Sequence, residues 1–172
     1  MAITKIQSES LNLADDFAFT GTITGAGESN SPSFAVERTT DFGFSSGTVT
    51  KWQGNSVKYD THSGWDNSNY RYTIQSGHAG KYLFSLNCLV AEGNGTMNRT
   101  MLRLYKNGSQ IAYHVWDSGN YNKWGMYSHL SWSVDCAEGD YFEMYTYGLS
   151  SSGYTMYAKN YGNQFCGFKI SS

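Results

Sequence analysis

The segment from Gly80 to Val90 has the most regular spacing of apolar side chains in this chain. These side chains recur at every second position, at Tyr82, Phe84, Leu86, Cys88 and Val90. A period of two puts them on one face of a β-strand, because a helix would need a period of about 3.6 residues. Turn-forming residues at 77–80 and 93–95 flank the segment on both sides. The pattern predicts a central strand with one face in the core.

Shorter segments with apolar and aromatic residues at alternating positions occur along the chain and are separated by polar loops. They are FAVER (34–38), NSVKYDTH (55–62), YRYTIQS (70–76), RTMLRLY (99–105), SQIAYHVW (109–116), SHLSWSVDC (128–136), YFEMYTYG (141–148) and NQFCGFKIS (163–171). Asn107-Gly108 lies between two of these segments and predicts a two-residue type I′ turn, which needs positive φ at both positions. No window of helical period is longer than a turn or two. The pattern therefore predicts an all-β protein.

The composition agrees with that prediction. Aromatic residues make up 16% of the 172 residues, with 14 tyrosines, and there are 19 glycines but only 1 proline. Aromatic-rich strands joined by glycine turns fit this mixture, and the length suits one domain with its own core. The three cysteines, Cys88, Cys136 and Cys166, are far apart and odd in number. We interpret them as buried thiols and not as a disulfide framework.

Charge and hydropathy exclude several classes of partner. A net charge of -2 gives no cluster of positive charge for nucleic acid or for an anionic membrane. No window approaches eighteen uninterrupted apolar residues, so we expect no membrane insertion. The first ten residues lack the apolar core of a secretory signal, which predicts synthesis in the cytosol.

Residues 3–27 differ from the rest of the chain because they lack tyrosine and tryptophan. Their larger apolar residues are sparse: Ile3, Ile6, Leu11, Leu13, Phe17, Phe19 and Ile23. This is too little apolar surface for an independent core, so we expect an extended arm that contacts other chains. A loop rich in serine and glycine, ending near Pro32, marks the boundary. We predict an arm over 1–32, with these residues as attachment or inter-subunit contacts, and a β-sandwich domain over 33–172.

Four segments resemble the complement globular-head branch of the tumour-necrosis-factor jelly-roll superfamily. In order, they are Gly80–Phe84, Leu104–Gly108, Leu130–Asp140 and Phe165–Phe168. The resemblance covers about residues 33–172. It implies a ten-stranded jelly-roll sandwich that forms a homotrimer around a threefold axis. It also implies that the protein works through binding surfaces and not through catalysis.

The arm carries a second resemblance. ITKIQSESLNLADDFAFTGTITGA, within about the first 26 residues, is similar to the openings of virion structural and fibre proteins from phages of aquatic bacteria, especially cyanophages. This resemblance implies a bacteriophage virion protein, with other capsid or tail proteins as partners.

No motif in the chain indicates catalysis or a cofactor. Gly43–Gly47 formally fits the Gly-x-Ser-x-Gly pattern of a nucleophile elbow, but no helix is predicted after it to expose the serine. The four histidines show no i,i+4 pair and no cysteine spacing suited to zinc. We expect them in surface or cross-strand positions.

Two further patterns lead to no predicted site. The carboxylates of Asp60, Asp66, Asp135 and Asp140 offer oxygen ligands for calcium, which some members of the resembled superfamily bind. No loop has the closely alternating acids of a dedicated calcium site, so we predict no metal. Three Asn-x-Ser/Thr triplets, headed by Asn94, Asn98 and Asn107, matter only in a secreted eukaryotic chain.

The aromatic residues in and near the loops exceed what one sandwich core needs. They are Trp65, Tyr70, Tyr121, Trp124, Tyr127, Tyr154, Tyr157 and Tyr161. Tyrosine and tryptophan give large, rigid contacts with a polar end, so we predict that some of them form a subunit interface or a ligand surface. Packing in the core is the alternative for each of them.

These observations favour two functions. The first is a phage virion structural protein, in which a jelly-roll trimer is attached to the particle by its arm as capsid decoration or as a short fibre. The second is a receptor- or glycan-binding module, such as a fibre tip or an adhesin, that uses the aromatic loops.

Overall fold

The computed structural model describes residues 31–92, 97–119, 125–150 and 156–171. The regular elements in these ranges are strands, and the same ranges hold no helix of the length and hydropathy needed to cross a membrane. Two antiparallel sheets form a sandwich, which confirms the predicted all-β class. Residues 1–30, with every residue predicted to mediate attachment, lie outside the described ranges.

The first sheet has seven strands in the described ranges. They are β1 (Ser33–Glu37), β2 (Phe42–Phe44), β4 (Ser56–Asp60), β7 (Gly80–Glu92), β10 (Gly125–Cys136), β12 (Met156–Ala158) and β13 (Gln164–Ser171). The long strand β7 pairs with β10 along one side and with β13 and β12 along the other. Beyond these, β13 pairs with β1 and β1 with β4, while β12 pairs with β2. The predicted central strand is confirmed.

The second sheet has six strands in the described ranges. They are β3 (Thr50–Lys51), β5 (Trp65–Asp66), β6 (Arg71–Thr73), β8 (Met97–Lys106), β9 (Ser109–Asp117) and β11 (Tyr141–Ser150). Their order is β5-β6-β11-β8-β9, and β3 also pairs with β11. The described strands outnumber the expected ten because short segments such as β3 and β5, of 2 residues each, add to the sheet edges.

Aromatic rings fill the space between the sheets. Phe84 of β7 is fully buried and stacks on Phe142 of β11, with 4.2 Å between the ring centroids. Phe34 of β1 stacks on Tyr72 of β6 at 3.9 Å. Gly167 of β13 permits this packing, because a Cβ there would lie 2.7 Å from the Phe84 ring. The inward face that the alternation predicts for β7 is thus the middle of the core.

The hairpin between β8 and β9 turns at the predicted residues. Asn107 has φ of 52° and Gly108 has φ of 78°, so both central residues have the positive φ of a type I′ turn. Asparagine and glycine tolerate this left-handed conformation better than other residues. The predicted turn is confirmed.

The cysteines differ in burial. Cys88 and Cys136 are buried, and burial raises the pKa of each thiol to about 12. Cys166 lies on the outer face of the first sheet and is only half-buried, because its neighbours on β13, Phe165 and Gly167, are the residues that face the core. The expectation that all three are buried was therefore wrong for Cys166.

Candidate functional site

A concave cleft of about 430 Å³ opens at one end of the outer face of the first sheet. Its floor crosses three strands, because Glu37 of β1 pairs in register with Gln164 of β13, and Gln164 pairs with Asn87 of β7. We call it the Tyr127 cleft. Its lining combines two tyrosines with amides, a carboxylate and a guanidinium, from Glu37, Arg38, Asn87, Tyr127, Asn160, Tyr161, Gly162, Asn163 and Gln164.

The loop 159–163, between β12 and β13, forms one wall of the cleft and is bonded to the sheet at several points. Asp41 accepts a hydrogen bond from the backbone N–H of Asn160 at 2.8 Å and forms an ion pair with Lys159 at 2.5 Å. The bond from Lys159 is the main cause that lowers the pKa of Asp41. Farther along the loop, Asn163 Oδ1 accepts a hydrogen bond from the Leu89 N–H at 2.9 Å. Contacts within the protein therefore hold this wall in position.

A chain of polar contacts connects the floor residues to their surroundings. Gln164 Nε2 donates to Glu37 Oε1 at 3.3 Å, and Lys58 forms an ion pair with the same carboxylate at 2.9 Å. On the other side, Asn87 is bonded to the His129 ring, in one of the cross-strand positions expected for histidine. These contacts fix the orientation of the amides that face the cleft.

Two tyrosines supply the aromatic surface of the cleft. Tyr127 of β10 is 45% exposed, and its ring lies against Gly162, where an added Cβ would come within 3.0 Å of it. Gly162 also has φ of 69°, a conformation that favours glycine. Tyr161, the preceding residue, is 54% exposed. Partial burial raises the pKa of Tyr127, so its hydroxyl is a neutral hydrogen-bonding group at pH 7.

Two buried donors of the lining have no hydrogen-bond partner within the described part of the chain. Asn163 is 4% exposed, and its Nδ2 is unpaired although its Oδ1 is bonded to the backbone. The Nε of Arg38 is also buried and unpaired, while Nη1 donates to the Gln53 carbonyl at 2.5 Å. Buried polar atoms are nearly always hydrogen-bonded, and an unpaired one costs about 1–3 kcal/mol. The cleft therefore holds hydrogen-bonding capacity that the described residues do not use.

The described lining of the cleft offers hydrogen-bonding and aromatic groups. Its lining contains one carboxylate, Glu37, whereas glycoside hydrolysis needs a pair. In the described ranges no group of three or more His, Cys, Asp or Glu side chains is placed to hold a metal ion. Ser45, the serine of the Gly-x-Ser-x-Gly pattern, directly follows β2, and its neighbour Ser46 accepts a hydrogen bond from the Ser150 N–H at 3.0 Å. The chain leads from Ser45 into strand β3 and not into a helix, so Ser45 does not have the strand-to-helix setting of a nucleophile elbow.

The four aspartates considered as calcium ligands form hydrogen bonds or ion pairs within the fold. Asp60 accepts a hydrogen bond from the Trp65 N–H at 2.8 Å, and Asp66 accepts one from the Asn69 side chain at 2.7 Å. Asp135 and Asp140 form ion pairs with Lys81 and Lys106. Each of the four carboxylates is thus bonded to groups of the protein.

The other predicted aromatics have different surroundings. Trp65 packs against the core, with its ring 6.3 Å from Phe34, which favours packing as its role. Tyr70 is half-buried and has φ of 49°, and Tyr157 is half-buried on β12, within 5.7 Å of the Lys159 ammonium. Tyr121, Trp124 and Tyr154 lie outside the described residues. Of the described members of the predicted set, only Tyr127 and Tyr161 line the cleft.

Two tryptophans are exposed at positions that point between the sheets. Trp132 of β10 pairs with Phe84, and Trp116 of β9 pairs with Thr100, two fully buried residues. Paired residues point to the same face, so both indoles point inward. They are nevertheless 45% and 47% exposed, because β9 and β10 are the edge strands of their sheets. We call this surface the open edge.

An apolar patch occupies the other end of the outer face of the first sheet. It consists of Tyr59, Leu83, Phe168 and Ile170, of which Tyr59 and Ile170 are exposed and the other two half-buried. Leu83 and Phe168 pair across β7 and β13. Asn87 comes four positions after Leu83 on β7, which is about 13 Å along a strand. Tyr59, however, is in register with Ala35, two positions from Glu37, so the patch adjoins the Tyr127 cleft on β4 and is farther from it on β7.

The outer face of the second sheet carries tyrosines that the loop-centred prediction missed. They are Tyr105, Tyr113, Tyr141, Tyr145 and Tyr147. Tyr105 and Tyr145 contact each other with ring centroids 4.3 Å apart, and Arg71 lies over Tyr141 at 4.5 Å. In the sequence, Tyr141, Tyr145 and Tyr147 alternate with residues that are buried, such as Phe142. This period of two predicts that the tyrosines lie on the outer face of the sheet. Much of the tyrosine excess belongs to strands, not to loops.

Comparison with solved structures identifies the fold. The chain is similar to the globular domain of zebrafish complement 1qA, at 17% identity, over 81% of this chain and 98% of that one, with a TM-score of 0.55. It is also similar to Eiger TNF from S. frugiperda, at 8% identity over 81% and 92% of the chains, with a TM-score of 0.58. Murine APRIL gives 8% identity, 80% and 98% coverage and a TM-score of 0.58.

At these identities the similarity shows the fold alone. No model of a sequence family matches the chain, and neither does any curated protein sequence. The predicted jelly-roll sandwich of the complement globular-head and tumour-necrosis-factor type is confirmed. The resemblance of the arm to phage virion proteins stays a prediction.

Proposed function

We propose that this protein is a virion structural protein of a bacteriophage, built as a homotrimeric jelly-roll module and attached to the particle by residues 1–32. In this function it is capsid decoration or a short fibre, its partners are copies of itself and other capsid or tail proteins, and it catalyses no reaction. The observation that carries the trimer is the pair of exposed, inward-pointing tryptophans at the open edge.

The open edge is unfavourable in a single chain. Two indoles that point toward the core but remain nearly half exposed leave large apolar surfaces in water. Tryptophan is among the residues most enriched where subunits meet. A neighbouring copy that covers Trp116 and Trp132 would complete the burial that the sandwich begins.

The apolar patch is a suitable surface for that neighbour. It lies on the outer face of the first sheet, so one chain cannot bring it against its own open edge. Contact between two different surfaces of identical chains is heterologous and forms a closed ring when the rotation allows it. A threefold ring, with the edge of each copy on the patch of the next, covers both surfaces.

Attachment is assigned to the arm on sequence grounds. Phe17, Phe19 and Ile23 alternate as in a strand, so the arm can add to the edge of a neighbouring sheet and bury these side chains there. The similarity of the arm to virion and fibre proteins supports a place in the particle. The test is to isolate particles carrying either the full chain or a chain that begins at Ser31, and to compare the copy number of each.

Receptor or glycan binding is the second candidate function, and the Tyr127 cleft favours it. The cleft is concave, is partly aromatic and contains buried donors without partners, as ligand sites do. Binding of the full chain to host cells, measured apart from the particle, tests this candidate.

A further inference from the structure

We propose that the Tyr127 cleft binds a neutral saccharide, such as the terminal sugar of a surface glycan. The proposal rests on the second candidate function and names its ligand class and its site. The shape, the unpaired donors and the charge of the cleft support it.

The shape indicates a small polar ligand. A volume of about 430 Å³ is within the range of small-molecule sites and accommodates one or two sugar rings. The wall formed by loop 159–163 is held by Asp41 and by the Leu89 amide, so little ordering is needed on binding. The cleft is therefore preorganised for its ligand.

The unpaired donors indicate oxygen acceptors on the ligand. Asn163 Nδ2 and Arg38 Nε are both buried and both unpaired within the described residues. A hydroxyl or ring oxygen that approaches Asn163 gives Nδ2 the bond it lacks. Hydroxyl groups both accept and donate, so the Gln164 and Asn87 amides and the Glu37 carboxylate can serve other hydroxyls of the same ligand.

The exposed tyrosines suit the apolar side of a sugar ring. Tyr127 and Tyr161 each present about half of their surface to solvent. A saccharide has a C–H face and a rim of hydroxyls, and aromatic side chains with a polar end match both. A purely ionic ligand, such as inorganic phosphate, would make no use of these rings.

The charges of the cleft favour a neutral ligand over an anionic one. Glu37 and Arg38 have opposite charges and adjoin in sequence, and the Lys58 ammonium is paired with Glu37. A sulfated or phosphorylated glycan would meet the Glu37 carboxylate without a cluster of free cations to offset it. A neutral ligand meets no such repulsion.

The proposed site is compatible with the proposed trimer. The neighbouring copy covers the apolar patch, and Leu83 of that patch is about 13 Å along strand β7 from Asn87 of the cleft floor. A neighbour that packs on Leu83, Phe168 and Ile170 leaves the Asn87 end of this face open to a ligand.

The test uses the full chain and an array of immobilised neutral, sialylated and sulfated glycans, followed by titration of the best neutral glycan. Tyr161→Ala removes an exposed ring, and Asn163→Asp keeps the acceptor for the Leu89 amide but removes the unpaired donor. Each should weaken binding about tenfold or more. Tyr113→Ala, which removes an exposed tyrosine from the other sheet, is the matched control and should bind like the wild type.

Each outcome decides the proposal. Loss of neutral-glycan binding in Tyr161→Ala, with a melting temperature equal to that of the control, supports it even if Asn163→Asp fails to fold. Equal binding by both variants and the wild type overturns this site but leaves glycan binding as a function. Binding of anionic glycans alone, or of no glycan at millimolar concentration, overturns the ligand class, and host-cell binding then decides separately whether the second candidate function survives.

Discussion

Asn107 Nδ2 donates a hydrogen bond to Asp140 Oδ1 at 2.7 Å and thereby joins two turns that are 33 residues apart in the chain. The first turn connects β8 to β9, and the second connects β10 to β11. Asn107 Oδ1 also accepts a hydrogen bond from the Tyr141 N–H at 2.9 Å. The Asn107 side chain therefore links the β8–β9 turn to the β10–β11 turn.

The carboxylate of Asp140 is the centre of this contact. Burial by itself would raise its pKa, but hydrogen bonds from Lys106, Asn107 and the Ala137 N–H outweigh burial and lower it. A carboxyl group with a lowered pKa stabilises the fold above its unfolded pKa of about 3.9, and this stabilisation is lost as pH falls through the lower, folded value.

We expect Asp140→Asn to reduce the free energy of unfolding by about 2 kcal/mol at pH 7, because charge-assisted hydrogen bonds are lost. The difference from wild type should shrink as the pH falls below about 4. Urea unfolding at pH 7 and near pH 3.5 measures both values. Asp135→Asn, in an exposed ion pair with Lys81, is the control and should cost less than about 1 kcal/mol. A difference that is the same at both pH values would contradict the role of the charge.

Substitution in the hairpin turn should destabilise the protein through the backbone. Gly108→Val places a β-branched residue at φ of 78°, which should cost about 1–3 kcal/mol. Asn107→Val adds the loss of the bond to Asp140 and should cost more. Ser109→Val, at the exposed start of β9, is the control and should change the melting temperature little. Equal melting temperatures for all three variants would show that the turn carries no strain.

The core prediction concerns the stacked pair of Phe84 and Phe142. Phe84→Ala should lower the free energy of unfolding by about 3–5 kcal/mol, because it leaves a cavity between the sheets. Ser133→Ala, at an exposed position on the adjacent strand β10, should have almost no effect. Chemical denaturation of both variants measures the difference, and a loss below about 1 kcal/mol would contradict the central position of this ring.

Local patterns were sufficient to predict some elements and insufficient for others. The alternation around Phe84 predicts both the strand and its buried face, since burial in a sheet follows a period of two. Asn107-Gly108 predicts its turn because φ depends on residue type. The Tyr127 cleft depends instead on Asp41 holding Asn160, a contact across 119 positions, and no local pattern contains it. The predicted list of loop aromatics therefore included Tyr161 but not the amides beside it.

Removal of the arm should separate folding from attachment. A chain that begins at Ser31 retains every described strand and should keep the melting temperature and the trimeric mass of the full chain. It should fail to join particles, because the proposed contacts of Phe17, Phe19 and Ile23 are absent. Particle isolation followed by quantification of bound protein measures this. Full occupancy by the shortened chain would assign attachment to the jelly roll instead.

Paired substitution at the open edge should dissociate the trimer. Replacing Trp116 and Trp132 together by serine removes the surface that the next copy is proposed to cover, and the variant should have the mass of one chain with an unchanged far-ultraviolet circular dichroism spectrum. Tyr113→Ser removes an aromatic ring that is 61% exposed on the outer face of β9, the face opposite to that of Trp116, and should leave the assembly intact. A double variant that retains the assembly would place the subunit contact elsewhere.

The mass of the full chain in solution tests the trimeric assembly most directly. Light scattering at micromolar concentration should give three times the 19.2 kDa of one chain and should hold that value on moderate dilution. A mass of 19.2 kDa that does not change with concentration would contradict the trimer. That result would leave Trp116 and Trp132 without the partner that this account assigns to them.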